Sequence, residues 1–437
     1  MHPATTTQRK AHPVAISPDT DPATAARIAS ISFALFVAGG VIGLLNMTLM
    51  PVPFGWGFEM VTLATNLAKH GTYANPFSVL DTGVTAAYTP LYPFFLSLLM
   101  RVFRDPDLAA LAATIGNILI NAIIAACLPR VSWLFFRNVR SGIAASILWL
   151  FSAQLMPDWD ASYTAAALIL FCLFTDATVG KHRFFLLAIP GGLLAGALFL
   201  LNPSSMIVFL PWVAYLLIFR KTSMRQTVIY LTVVLALFAL IASGWAYRNY
   251  LHLGKFVVRT NLGMTLYASN NDCASPSLFD EENDNCHEAH HPNTSLQEAQ
   301  VLRSLGEVAY DRLRTADAKA WMRAHPRRFL SLTAGRFRDF WFPAAAGHPY
   351  KIATIWLATL LSIPGLILMA RRRMDVIAFL FAVFVLYPIL YYVVVSDVRY
   401  RYPILWLTLL PAGFFVDALL KPAQLNWLDH PEHSPSA

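Results

Sequence analysis

Apolar runs of bilayer-crossing length recur along this 437-residue chain, and the lysines and arginines between them gather in alternate loops. A hydrocarbon core needs about 20 apolar residues per helix. The runs at 28–51, 107–128, 142–157, 161–178, 184–202, 205–219, 226–246, 352–370, 374–395 and 403–420 meet or approach that length. Composition agrees: 57% of residues are hydrophobic and 13% charged, roughly half the charge of a soluble chain. Strands of an outer-membrane barrel alternate polar and apolar residues and lack such runs. The expected fold is therefore an all-α polytopic membrane protein with about ten transmembrane helices.

Charge sets the orientation. Arg9, Lys10 and Arg27 precede the first run; Arg130, Arg137 and Arg140 follow the second; Lys181 and Arg183 follow the fourth. Arg220, Lys221 and Arg225 follow the sixth, Arg371, Arg372 and Arg373 the eighth, and Lys421 the tenth. All share one side if the N-terminus is cytoplasmic, as the positive-inside rule requires. The net charge of +8 is then topological and calls for no nucleic acid. The polar stretches 1–27 and 421–437 read as disordered cytoplasmic tails, the first without a cleavable signal peptide.

One run, "TPLYPFFLSLLMRVF" (89–103), is short, has two prolines and ends near Arg101. Counted as a span it would invert every later loop, so it reads as an interfacial or re-entrant helix. Two long loops then lie outside, 52–106 and 247–351. The chain divides into an N-terminal membrane region (28–246, holding the first loop), a periplasmic insertion (247–351) and C-terminal membrane helices (352–420).

The outer loops carry the candidate chemistry. Residues 57–70 form an amphipathic helix, with Phe58, Val61, Ala64, Leu67 and Ala68 on one face and Glu59, Thr62, Asn66 and Lys69 on another. Glu59 is the only carboxylate between the first run and Asp81. Cys273 and Cys286 sit in the insertion, whereas Cys127 and Cys172 lie in spans. Two outside cysteines form a disulfide, or "CHEAHH" (286–291) holds zinc through Cys286, His287, His290 and His291. The stretch "AWMRAHPRRFLSLTAGRFRDFWF" reads as a basic, Trp-rich return to the membrane surface. "SDVRYRYP" (396–403) places Arg399 and Arg401 against the topology rule, so that they either meet a lipid phosphate or pair with Asp397 and bind nothing. Arg248, at the outer end of the seventh run, is a similar case. "MPDWDASY" adds Asp158 and Asp160 at the outer end of the third.

These stretches, in order, resemble bacterial membrane glycosyltransferases of the GT-C superfamily, in particular the protein-mannosyltransferase-like (family 39) and aminoarabinose-transferase-like groups. "GFEMVTLATNLAKHGTYANPF" looks like their first outer-loop helix, with Glu59 as the catalytic carboxylate. "TAAYTPLYPFFLSLLMRVF" looks like the juxtamembrane helix after it. "WDASYTAAALIL" places Asp160 where relatives carry a second acid. "LNPSSMIVFLPW", "WAYRNYLHLGKFVVRTNLGMTLYASNN", "LGEVAY" and "VRYRYPILW" continue the series. Relatives often pair two acids in the first loop; here Glu59 stands alone. The Glu-Lys-Pro of the aminoarabinose group is replaced by Tyr88, Thr89 and Pro90, which argues against aminoarabinose as the sugar.

The resemblance implies an inverting transferase that moves a sugar from a polyprenyl-phosphate carrier to a glycan, lipid or protein acceptor at the periplasmic face of a bacterial inner membrane. Glu59 and Asp160 are the catalytic candidates. Arg399, Arg401 and Arg248 are candidates for the carrier phosphate, and Asp158, Tyr88 and Asn66 for the lining of the site. No cofactor is expected; a divalent metal is an option that a lone carboxylate does not favour. The rival readings are a glycan ligase or polymerase on the same scaffold, a secondary transporter, and a non-catalytic assembly protein. Neither an inverted repeat nor a pair of broken helices supports the transporter.

Overall fold

In a computed structural model, residues 21–420 are described apart from 52, 180, 182–183, 220–222, 345–348 and 371–372; both expected tails lie largely outside that range. The described chain is all helical apart from turns and two isolated β-bridges. Long apolar helices form the membrane body: α1 Pro22–Leu49, then, after two short helices (α2 Glu59–His70 and α3 Leu91–Phe103), α4 Pro106–Phe136, α5 Val139–Ser152, α6 Ala161–Thr178, α7 Phe184–Leu201, α8 Met206–Phe219 and α9 Met224–Leu253. The insertion contributes α10 Leu262–Ser269, α11 Leu278–Asn283, α12 Cys286–His290, α13 Leu296–Leu305, α14 Glu307–Ala324 and α15 Pro326–Trp341. Three helices close the chain: α16 Pro349–Ala370, α17 Met374–Tyr392 and α18 Val398–Leu420. Helix α1 begins at Pro22, capped by the Asp21 side chain on Thr24 N, so it takes in the end of the expected tail.

Each expected span corresponds to one helix, and among the described residues eight helices are long and apolar enough to cross a membrane alone. The exceptions are α5 and α8, fourteen residues each, or about 21 Å at 1.5 Å per residue. The third span was expected to run to residue 157, but α5 stops at Ser152. Extended backbone at this depth is tolerable only if protein groups satisfy it, and they do. Asn117 on α4 donates to the Met156 carbonyl and accepts from its N–H; Tyr402 accepts from Gln154 N; Tyr92 on α3 donates to the Pro157 carbonyl. This braced strand of chain leads to Asp158 and Asp160.

Small residues set the close packing. Gly413 on α18 lies so near α5 that a Cβ there would stand 2.3 Å from the Ser141 carbonyl oxygen. Such contacts let helices approach where lipid offers no hydrophobic drive. Helices α2 and α3, twelve and thirteen residues long, are shorter than every helix assigned to an expected span. As expected, α2 is amphipathic, and Val61, Leu63, Ala64 and Leu67 are buried against α3.

The two outer loops, the 153–160 segment and the 393–397 segment meet at one end of the bundle. Ser78 bonds Asn293, Thr260 N bonds the Ala86 carbonyl, and residues 276–278 pair with Ser396. Arg373, by contrast, holds Asp375 and the Phe135 carbonyl at the opposite end.

Candidate active site

Glu59 opens α2, directly after its N-cap Phe58. Its carboxylate gains from the helix N-terminus but lies buried, at 7% exposure. The expected polar face is thus turned inward at this residue, while Phe58 is 45% exposed. Burial raises the Glu59 pKa; Arg399, His287 and the Tyr88 hydroxyl act in the opposite direction. His291, from the turn after α12, places Nε2 3.6 Å from Glu59 Oε1.

Asp158 is buried beside the same loop: a Cβ on Gly55 would meet its Oδ2 at 2.3 Å. Desolvation pushes its pKa up to about 6, with Arg399 opposing and Asp397 and Glu59 adding. Asp160 caps the start of α6 and accepts hydrogen bonds from Asn202 Nδ2 (2.9 Å) and Thr164 Oγ1 (3.2 Å). Its pKa is also raised by burial, against the pull of Arg259. Asn202 further binds Ser204, which contacts the Tyr391 hydroxyl.

Arg399 and Arg401 part company. The expected short loop is instead the first turn of α18. Side chains two residues apart on a helix diverge by roughly 200°. Arg399 faces the acids: its guanidinium lies 3.8 Å from the Trp159 ring centroid and 3.9 Å from Asp397 Oδ1. Arg401 points into the bundle, 1% exposed, and donates to the Trp341 carbonyl (2.5 Å) and Thr359 Oγ1 (2.7 Å). It braces α15, α16 and α18 and is not brought to the acid cluster.

Arg248 is likewise committed elsewhere. It donates to the carbonyls of Thr85 (2.7 Å) and Tyr73 (3.1 Å) and lies against the Tyr73 and Trp245 rings. Asn66 donates to the Ala74 and Asn75 carbonyls, so it shapes the first loop. Tyr88 does face the site: its ring carries Arg259 at 5.4 Å, and its hydroxyl feels Glu59, Arg259, Arg399 and Tyr400.

Arg259, His291 and Glu307 were not singled out in the sequence for the site. Arg259 is exposed, with only Nε engaged, on the Ala87 carbonyl (2.9 Å). Glu307 is buried and accepts from Ala86 N (2.7 Å) and from Thr260 Oγ1. With Arg248 these groups fix the Thr85–Thr89 segment that presents Tyr88. An arginine in "FVVRT" carries no local signal; its partners lie about 170 residues away.

Cys273 and Cys286 are joined in a disulfide. His290 lies beside them, with Nδ1 3.9 Å from Cys273 Sγ, but bonded sulfurs offer no thiolate to zinc. Among the described residues no other three ligand atoms of His, Cys, Asp or Glu converge. Beside Pro157, a recess of about 290 Å³ is lined by Met47, Phe54, Trp56, Leu111 and Leu155, together with the polar Asp107 and Thr114.

No protein-family model matches this chain, and no curated protein matches it. Solved structures do. The oligosaccharyltransferase AglB from the archaeon Archaeoglobus fulgidus, in complex with an inhibitory peptide and a dolichol-phosphate, matches with TM-score 0.53 at 10% identity over 93% of this chain and 52% of its own. The A. fulgidus oligosaccharyltransferase in its apo form gives TM-score 0.54 at 12% identity, covering 93% of this chain and 53% of its own. Its complex with Zn and sulfate gives 0.53 at 11%, covering 90% and 50%. The chain thus spans about half the length of these proteins and shares their fold. At such identity the likeness speaks for fold alone.

Proposed function

We propose that this chain is an inverting glycosyltransferase that takes a sugar from a polyprenyl-phosphate carrier and adds it to an acceptor hydroxyl at the periplasmic face of a bacterial inner membrane. The observation that carries this reading is the buried Glu59 carboxylate facing Arg399, with Asp158 beside it, where both loops meet on a GT-C-type bundle.

Glu59 takes the acceptor proton as the acceptor oxygen attacks the anomeric carbon. The bond from that carbon to the carrier phosphate breaks, and polyprenyl phosphate leaves with the electron pair. Charge grows on the phosphate, where a preorganised cation lowers the barrier. Arg399 is the nearer cation; Arg259, with two terminal nitrogens free of hydrogen bonds, takes the place that Arg401 and Arg248 vacate. Asp160, held by Asn202 and Thr164, orients the acceptor. The recess beside Pro157 suits the first isoprenoid units of the carrier. Among the described residues the acids form no three-ligand set, and in this reading the arginines neutralise the charge.

The neighbouring solved structure holds a dolichol-phosphate and a peptide. That favours, as a second reading, transfer of a preassembled glycan rather than one sugar. Mass analysis of the product decides between them: one residue added supports the first, a whole repeat the second, and no change with or without the protein rejects both.

A further inference from the structure

One partner of the Glu59 carboxylate comes from the insertion, over 200 residues away in the chain: His291 Nε2 lies 3.6 Å from Oε1. His291 is 6% exposed. Its ring lies parallel to that of His287, with centroids 4.8 Å apart and planes 20° apart, and meets the edge of Phe77 at 6.0 Å. Its Nδ1 accepts a hydrogen bond from the Asn293 backbone N–H (3.2 Å). That bond fixes the tautomer: in a neutral imidazole with Nδ1 as acceptor, the proton sits on Nε2. Nε2 is the atom that faces Glu59 Oε1. A shift of roughly 0.6 Å brings the pair to an ordinary N–H···O length, and catalytic hydrogen bonds are often long before substrate binds. The turn itself is stapled to the first loop, since Asn293 Nδ2 donates to the Gly57 carbonyl and Ser78 N donates to Asn293 Oδ1.

We propose that His291 is the positioning residue of Glu59: its Nε2–H donates to Oε1, holds the carboxylate ionised and leaves Oε2 for the acceptor proton. His291 keeps its own proton throughout. Burial and the nearby His287 and Arg399 keep the ring neutral, with a pKa well below the usual histidine range. The other charged or titratable groups acting on Glu59 are Tyr88 before α3, Arg399 on α18, His287 on α12 and Asp158 before α6. Only His291 and Tyr88 approach it as neutral donors.

The inference rests on Glu59 being the base, so its test reads the carboxyl itself and needs no sugar. Infrared difference titration of the purified full chain in detergent follows the protonated-carboxyl band, assigned to Glu59 by its loss in Glu59→Gln. His291→Gln keeps a donor near the Nε2 position; His291→Asn keeps polarity and burial but falls short of Glu59. His291→Asn should raise the Glu59 midpoint by about one pH unit, because a donor to the charged form is lost. His291→Gln should hold it within about 0.3 unit of the parent. His291→Ala, expected to shift like Asn, serves if the Asn variant does not fold. An unmoved midpoint in Asn or Ala, or an equal shift in Gln, overturns the proposal. Should the midpoints behave as expected while Glu59→Gln still transfers sugar, the contact stands and the reading of Glu59 as base fails.

Discussion

The two outer loops contribute unequally to the same site. The first, from Pro51 to Asp105, supplies Glu59 at the start of α2, the base of the proposed reaction, and the Tyr88 ring from the segment before α3. The second, from Gly254 to Pro343, supplies support: His291 against Glu59, Arg259 over Tyr88, and Glu307 on the Ala86 N–H. The first loop places a charge, and the second sets that charge's orientation and ionisation. An isolated first loop would carry the acid and Tyr88 without the His291 donor. The insertion is part of the site's construction and not a separate appendage.

The sharpest break between the loops should come from their acids. Glu59→Gln should lower transfer by about 10² to 10⁴-fold, the usual worth of a general base. Glu307→Gln, read by the same assay, should cost far less, because it only loosens the Thr85–Thr89 segment. Equal losses would erase the distinction between reacting and supporting acids.

The two arginines of α18 sharpen the comparison next. Arg399→Ala should cut transfer by roughly 10²-fold or more, as loss of a preorganised charge does, and weaken carrier binding. Arg401→Ala should destabilise the fold by about 1–3 kcal/mol, the cost of leaving the Trp341 carbonyl unsatisfied, while the folded fraction binds carrier normally. Thermal melting beside a carrier-binding assay separates the two. The opposite pattern would return Arg401 to the phosphate.

Opening the disulfide tests the second loop alone. Its cysteines are 13 residues apart, so Cys286→Ser should cost about 3 kcal/mol by loop entropy. It should also free α12, which begins at Cys286 and ends beside His291, and lower transfer several-fold. Reduction of the parent should mimic it.

The smallest effect is a pH dependence at Asp158. Its folded pKa, about 6, lies above the ordinary aspartate value, so the folded state binds a proton that the unfolded chain releases. Stability therefore falls as pH rises from about 4 to about 6, by at most about 1.4 kcal/mol per unit. Asp158→Asn should flatten that slope in a melting series. A slope of the opposite sign would show that the folded environment favours the charged form.

The helical bundle was legible because hydropathy reports apolar helices of bilayer length directly, and α2 because its apolar residues recur at helical spacing. Glu59 stood out as a lone acid on an amphipathic segment, a pattern that a passive solvated helix would also give; its burial is a product of the fold. The division of labour between Arg399 and Arg401 was not legible: it depends on α18 starting at Val398, where "RYRYP" reads as a loop. His291 was visible only as part of a disulfide-or-zinc motif. Its value comes from a contact across more than 200 residues, which no local pattern encodes. The end of α5 escaped for a similar reason, since Asn117, Tyr92 and Tyr402 come from three other helices to hold it open.

The central claim is sugar transfer dependent on Glu59. The most direct measurement compares masses of surface glycans and lipids from cells lacking the protein, cells with the parent chain, and cells with Glu59→Gln at equal membrane level. The account predicts one species heavier by a sugar, or by a glycan repeat, in the parent alone. The same species at full abundance with Glu59→Gln, or in cells without the protein, would contradict it.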